Sequence, residues 1–104
     1  MKPCILLLTC ADDKEADHIS STLLTERLIV CAKKSRVTSD FYWEKARDHA
    51  EEVLLIMDSS EELFEQVETQ VGKLHSYKTF NLVALPVIKT TQGVRTWMEE
   101  GLAK

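Results

Sequence analysis

Three residues of this chain have side chains that could together bind a soft or borderline metal ion: Cys10, Cys31 and His75. Copper(I) prefers thiolate and thioether sulfur, and copper(II) also accepts imidazole nitrogen. Nothing in the sequence alone brings these three residues together. A metal site that used all of them could therefore need residues from different copies of the chain.

Buried packing is the alternative role for each cysteine, because free cysteine is among the most buried residue types. The chain has 3 cysteines at irregular spacing, which is a poor disulfide framework. None forms a C-x-x-C pair, so a closed zinc site is not indicated. In the apolar run CILLLTC, Cys4 and Cys10 share one face of an extended strand, and we expect Cys10, at the strand's end, to be partly exposed. We expect His18 and His49 at the surface.

The charge of the chain argues against several functional classes. The net charge is −4, and residues 48–70 contain acidic side chains but no Lys or Arg. This balance argues against nucleic acid as the main partner, and the acidic segment lacks the motif of a calcium loop. Hydrolase, phosphate-loop and zinc-protease motifs are absent as well, so we expect a protein that is not an enzyme. With neither a signal-peptide pattern nor a membrane-length apolar run, the sequence predicts a cytoplasmic protein.

The elements that position these residues follow from hydrophobic periodicity. Short apolar runs predict buried strands at CILLLTC, LIVCA, VLLIM and LVALPVI. A first amphipathic helix should begin after Asp12, which forms a capping box with Glu15, and should end near Arg27. A second should follow Ser59, which forms an S-x-x-E capping box with Glu62. The segment TTQGVRTWMEEGLAK predicts a short terminal helix.

The segment VTSDFYWEKARDHAEEVLLIM has strand-like ends and a middle made of good helix formers. Read as a hairpin, it completes four strands and two main helices in the order β-α-β-β-α-β. Residues 1–104 therefore predict a single α+β domain, a ferredoxin-like sandwich with an antiparallel sheet and an extra C-terminal helix. Since EKARDHA contains no Gly, we expect a longer, bulged or mobile connection between the two arms.

Continuous apolar runs such as VLLIM predict that both faces of the sheet are covered. Helices on one face would bury only alternate residues of each strand. Packing of three copies around a threefold axis would cover the second face. We therefore expect a stable homotrimer.

The ordered segments LIVCAKK, SDFYW, EEVLLIM and KLHSYKTFNLVALPV, followed by a late Trp, resemble the CutA divalent-cation-tolerance proteins over about residues 4–101. The resemblance implies a ferredoxin-like homotrimer, similar in architecture to PII signalling proteins. It also implies a function in tolerance of copper or another divalent cation, with no cofactor required for folding. Cys31 falls on the family's Cys-Ala pair, whose cysteine is discussed as a copper ligand.

A PII-like regulatory module is the alternative function that the resemblance implies. Clefts between subunits would then bind a small molecule or a partner protein, and their lining would include Trp43, Glu52, His75 and Tyr77. An interaction platform without a ligand is a third possibility. The chain departs from the family pattern at several of the cleft positions: Phe41 for Tyr, Lys45 for Gly, Asp58 for Lys, Ser76 for Pro, and Phe80 and Asn81 for Pro and Glu.

Overall fold

The computed structural model describes all 104 residues. Its elements are β1 (Pro3–Cys10), α1 (Asp13–Thr25), β2 (Cys31–Trp43), β3 (Ala46–Ser60), a 3-10 turn (Glu61–Leu63), α2 (Phe64–Leu74), β4 (Leu82–Pro86) and α3 (Gln92–Gly101). The strands form one antiparallel sheet in the order β2-β3-β1-β4. The predicted α+β class, antiparallel sheet and additional C-terminal helix are confirmed. None of the helices combines the length and apolar character needed to span a lipid bilayer.

One face of the sheet packs against the helices and forms the core. Alternate residues of β1 and of the second half of β3 are buried, as the two-residue period of a strand requires. The helices complete this core with apolar residues from each of them: Ala16, Ile19, Leu23, Val67, Val71 and Met98. Cys10 has 0% exposure. The prediction that it is partly exposed is wrong, because its thiol lies on the helix-covered face and the chain turns into α1 almost at once.

The opposite face of the sheet carries apolar side chains that remain partly accessible to solvent. Ile5 and Leu7 of β1 are half-buried. Val83, opposite Leu7, is 41% exposed, and Leu85, opposite Ile5, is 48% exposed. Directly paired residues lie on the same side of a sheet, so these side chains form one apolar surface together with Leu54 and Ile56. A contiguous apolar surface of this kind is typical of an interaction site.

The hairpin prediction for the central segment is confirmed. β2 and β3 pair continuously from Cys31 with Asp58 to Trp43 with Ala46. β1 pairs with β3 only over residues 53–60, so the distal part of the hairpin, residues 37–52, extends beyond β1 as a two-stranded ribbon. We call this part the β2–β3 ribbon. Such a ribbon is marginally stable alone and needs packing from elsewhere.

The prediction of a longer, bulged or mobile connection is wrong. Only Glu44 and Lys45 separate the paired strands, and their φ angles are 52° and 67°. Positive φ at both central residues is the signature of a type I′ turn, whose twist matches that of the flanking strands. The long ladder of paired residues holds the register, so it overrides the preference of these two residues for negative φ.

The first predicted helix cap is confirmed with one refinement. The Asp12 carboxylate accepts a hydrogen bond from the Glu15 backbone N–H at 2.8 Å. The Glu15 side chain reaches back one residue further than a standard capping box and accepts from the Ala11 N–H at 3.0 Å. The helix ends at Thr25, two residues before the predicted end.

The second predicted capping box is wrong. β3 continues through Ser60, and Ser59 is held in the ladder opposite Cys4. Its hydroxyl points into the core and donates to the Leu28 carbonyl at 2.7 Å. Glu62 instead accepts a hydrogen bond from the Lys2 backbone N–H at 3.0 Å. Pairing with β1 therefore overrides the local capping signal.

The paired substitution Glu44→Asn, Lys45→Gly should stabilise the protein by about 1 kcal/mol, because both new residues adopt positive φ at lower cost. Guanidinium unfolding at fixed chain concentration measures the change. Glu68→Gly is the control for glycine at an ordinary helical position. It lies at an exposed site inside α2 and should destabilise the protein by about 1 kcal/mol. A loss of stability in the turn variant would contradict the type I′ assignment.

Candidate metal centre

Three side chains with metal-binding chemistry converge where β1 ends: Cys10, Glu15 and His75. One ligand atom from each lies within 4.8 Å of the other two. Cys10 is the last residue of β1, Glu15 lies in the first turn of α1, and His75 directly follows α2. The fold thus brings a thiol, a carboxylate and an imidazole together from three separate segments. We call this group the Cys10–Glu15–His75 cluster.

Glu15 is the carboxylate that ties the cluster to the backbone. Its Oε1 accepts from the Ala11 N–H at 3.0 Å, and its Oε2 accepts from the Ser76 N–H at 2.8 Å. The side chain is only 12% exposed. Partial burial disfavours the charged form, but the hydrogen bonds from Ala11 and Ser76 outweigh it and lower the pKa of Glu15.

The imidazole of His75 is fully buried and has a partner at each nitrogen. The Tyr77 backbone N–H lies 3.0 Å from Nδ1, and the Thr9 carbonyl oxygen lies 2.8 Å from Nε2. A backbone N–H can only donate, and a carbonyl can only accept. We therefore assign the neutral tautomer in which Nε2 carries the hydrogen and Nδ1 carries the lone pair, 3.5 Å from Glu15 Oε1.

Cys10 contributes a thiol that holds its proton at neutral pH. Burial raises the pKa of Cys10 to about 12, and the carboxylates of Glu15, Asp12 and Glu52 contribute in the same direction. A metal ion binds the thiolate, so binding would have to displace this proton. Cys10 is therefore the protonated donor of the cluster, and a bound metal would have to deprotonate it.

The donor atoms of the cluster suit a borderline divalent ion. Sulfur, nitrogen and oxygen donors suit copper or zinc better than magnesium or calcium. Metal–ligand bonds of roughly 2.0–2.3 Å place tetrahedral ligands about 3.5 Å apart, so separations of up to 4.8 Å would have to contract by up to about 1.3 Å around an ion. The Nε2–H bond from His75 to the Thr9 carbonyl is the kind of contact that orients a metal-binding histidine.

The structure does not bring Cys31 into this cluster within one chain. Cys31 lies opposite Asp58 on β3, whereas Cys10 lies opposite Val53. Five residues of strand separate these positions, which is about 17 Å. The half-buried Cys31 sulfur instead lies 3.6 Å from Lys33 Nζ. Its role as a metal ligand stays a prediction that would need residues from another copy.

Three of the four predicted cleft residues lie together, and Trp43 is distant from them. The Tyr77 hydroxyl donates to Glu52 Oε2 at 2.7 Å, and the Tyr77 ring lies 4.9 Å from the His75 ring. Burial and the bond to Glu52 raise the pKa of Tyr77 to about 12. Trp43 is next to the hairpin turn, about 20 Å along the ribbon from Glu52, and is 51% exposed.

A cleft of about 350 Å³ opens beside Glu52, at the base of the β2–β3 ribbon. Its lining comes from residues 11–13, 36–38 and 51–53. Most of the charged side chains there are carboxylates, and Arg36 is the exception; it is paired with Asp13 at 2.8 Å.

His18 and His49 are exposed, as predicted, and neither belongs to the cluster.

Sequence reasoning assigned Glu15 only to a helix cap and missed it as a cluster member. The capping signal itself contained the clue, because a side chain that folds back over the helix start must lie close to the end of β1. Ser76 also has a specific structural role. A proline at this position would have no N–H, so the bond to Glu15 Oε2 depends on the departure from the family pattern.

Comparisons with known proteins point to one family. The family model described as CutA1 divalent ion tolerance protein matches residues 4–101. The chain is 28% identical to the divalent-cation tolerance protein CutA of Pyrococcus horikoshii, over 96% of this chain and 98% of that protein. The corresponding protein of Archaeoglobus fulgidus is 28% identical, over 91% and 93% of the two chains.

Solved structures of similar proteins share the fold. The CutA structure from Archaeoglobus fulgidus, described as a periplasmic divalent cation tolerance protein, has a TM-score of 0.93 at 27% identity and covers 95% of this chain and 97% of that chain. The structure from Thermus thermophilus, a divalent cation tolerance protein, has a TM-score of 0.94 at 25% identity, with coverage of 97% and 99%.

Glu15→Gln should destabilise the protein by about 1–3 kcal/mol at pH 7, because the amide offers one acceptor where the carboxylate offers two. The folded-state pKa of Glu15 is lowered, so its stabilisation is present above its ordinary pKa and is lost as pH falls through the folded value. The difference between wild type and variant should therefore shrink below about pH 4. Chemical unfolding across pH measures it, with Glu68→Gln as the exposed control. A difference that does not change with pH would contradict this role for Glu15.

Proposed function

The chain belongs to the CutA1 divalent ion tolerance family, and we propose that it acts in metal tolerance by binding copper or another borderline divalent cation at the Cys10–Glu15–His75 cluster. The observation that carries this proposal is the convergence of sulfur, oxygen and nitrogen ligand atoms within 4.8 Å. The tautomer of His75 supports it, since Nδ1 carries a lone pair and lies 3.5 Å from Glu15 Oε1. Divalent-cation tolerance in the names of the relatives agrees with this function.

The proposed role is binding without catalysis. Catalytic metal sites keep a coordination position open to water or substrate. Here Cys10 and the His75 side chain have 0% exposure, and Glu15 has only 12%. Three donors leave a fourth tetrahedral position unfilled, but the burial of the cluster keeps a substrate away from it, which suits the capture of an ion better than its use on a substrate. Thiolate and imidazole donors suit copper and zinc alike, and the resemblance to a family implied in copper tolerance favours copper as the ion.

We also propose that three copies assemble into a homotrimer of ferredoxin-like subunits. The strand order β2-β3-β1-β4 supports this topology. The accessible apolar face of the sheet and the β2–β3 ribbon both require a partner surface. Phe41 and Trp43 on this ribbon are 38% and 51% exposed and would be covered in such an assembly. The number three comes from the family resemblance.

A PII-like regulatory role is the second candidate, and the contact between Tyr77 and Glu52 favours it. This hydrogen bond lies beside the cleft at the base of the ribbon, where a small molecule or a partner protein could bind.

The cytoplasmic location stays a prediction, since one solved relative is described as periplasmic.

Metal binding can be tested with zinc(II), a divalent ion without redox chemistry, and with copper(II). In calorimetric titration Cys10→Ser should weaken zinc binding at least tenfold, because the thiolate ligand is lost. Cys4→Ser is the matched control, since Cys4 lies on the same buried face of β1. The Cys10 pKa of about 12 predicts that wild-type affinity rises about tenfold for each pH unit between 6 and 8.

Three outcomes of this titration are informative. Equal weakening by Cys4→Ser would indicate a general effect on the core and contradict the proposed site. Cys31→Ser should leave binding unchanged, and a loss of binding in that variant would assign the ion to Cys31. The absence of zinc and copper binding in wild type would leave the PII-like role as the better proposal.

Trimer formation can be tested by sedimentation equilibrium at micromolar concentration, where three copies of the 11.9 kDa chain should sediment together. Leu85→Lys should weaken this assembly, because it places a charge on the apolar face. Lys89→Glu, outside that face, is the control for a charge change near β4. A single-chain mass for wild type would contradict the trimer.

A further inference from the structure

The segment His75–Ser76–Tyr77 closes the cluster from the outside, and we call it the latch. Each of its residues makes a separate hydrogen bond to the surrounding structure. His75 Nε2–H donates to the Thr9 carbonyl, and the Ser76 N–H donates to Glu15 Oε2. Tyr77 contributes two bonds, because its backbone N–H donates to His75 Nδ1 and its hydroxyl donates to Glu52 Oε2.

A hydrogen bond within the latch occupies His75 Nδ1, the nitrogen that a metal ion would need. The lone pair of His75 Nδ1 accepts the Tyr77 N–H at 3.0 Å. A metal ion bound to Nδ1 would stand roughly 2.0–2.1 Å from it, in the direction that this N–H now fills. An ion can therefore bind the imidazole only after the Tyr77 amide has moved away.

The side chain of Tyr77 resists that movement. Its hydroxyl is held at 2.7 Å by Glu52, a carboxylate at the base of the β2–β3 ribbon that is only 8% exposed. Its ring packs at a tilt against the imidazole, with 4.9 Å between ring centres. Tyr77 is thus fixed at its backbone by the cluster and at its hydroxyl by the ribbon. A displacement of the residue strains both contacts.

We propose that Tyr77 is a positioning residue that couples metal binding at the cluster to the base of the β2–β3 ribbon. Metal entry moves the Tyr77 amide off Nδ1 and releases the phenol from Glu52. Coupling between two sites is reciprocal. A ligand in the neighbouring cleft that draws Glu52 away from Tyr77 therefore raises the affinity for metal. This inference rests on the proposed metal site.

Tyr77→Phe tests the coupling, since it keeps the ring and the backbone N–H and removes only the bond to Glu52. Zinc(II) affinity should rise about tenfold, because latch opening no longer breaks a hydrogen bond to a charged acceptor. Tyr42→Phe is the control, since the Tyr42 side chain is 77% exposed and lies on the ribbon away from the latch. It should leave the affinity unchanged.

Glu52→Gln provides a second variant that retains the side-chain volume. It should also raise zinc affinity, by less than Tyr77→Phe does, because the amide oxygen still accepts from the phenol but without the negative charge. The double variant should show little gain over Tyr77→Phe alone, because both changes act on the same bond. Thermal melting of each variant confirms that it is folded. If the effects of the two substitutions on zinc affinity add in the double variant, the two residues do not act through one hydrogen bond and the proposed coupling is contradicted.

Amide hydrogen exchange gives a direct readout of the latch. In the metal-free protein the Tyr77 amide should be protected by its bond to Nδ1, and zinc binding should accelerate its exchange. The coupling is contradicted if zinc binds without changing the protection of this amide and binds Tyr77→Phe with the same affinity as wild type. That outcome would still support the proposed metal site. Failure of wild type and all variants to bind zinc would overturn both.

Discussion

The carboxylate of Glu15 is the contact on which the cluster and its surroundings depend. It accepts one backbone N–H from Ala11, where β1 passes into α1, and one from Ser76, in the connection from α2 to β4. Glu15 and Ser76 lie 61 residues apart in sequence. The partly buried carboxylate thus joins two segments that are distant in sequence, and in doing so it holds Cys10 and His75 side by side.

The elements of this fold could be predicted from the sequence because their signals are local and periodic. The apolar run that ends at Cys10 predicted β1, and Asp12 predicted the start of α1. The tight turn at Glu44 and Lys45 could not be predicted, since the strand ladder imposes positive φ on two residues that do not favour it. The local cap signal at Ser59 failed for the same reason, because pairing with Cys4 kept that residue in β3.

The cluster could be predicted only in part. The chemistry of Cys10 and His75 indicated metal binding, but their proximity depends on how α2 and its following loop meet the end of β1, which no local pattern encodes. Glu15 was recognised as a capping residue, yet its second bond comes from Ser76, a long-range contact. Every buried side-chain nitrogen and oxygen atom has a hydrogen-bond partner within the chain. Because the cluster is satisfied by protein hydrogen bonds, we expect folding to need no ion, and an ion must compete with these bonds to enter.

The most direct test of the metal site is X-ray absorption at the zinc edge of the zinc-loaded protein, which identifies the atoms bound to the ion. The proposed site predicts one sulfur ligand at about 2.3 Å together with nitrogen and oxygen ligands at about 2.0–2.2 Å. In the zinc-loaded Cys10→Ser variant the sulfur contribution should disappear. A wild-type spectrum with nitrogen and oxygen ligands only, or a sulfur signal that persists in Cys10→Ser, would contradict the assignment.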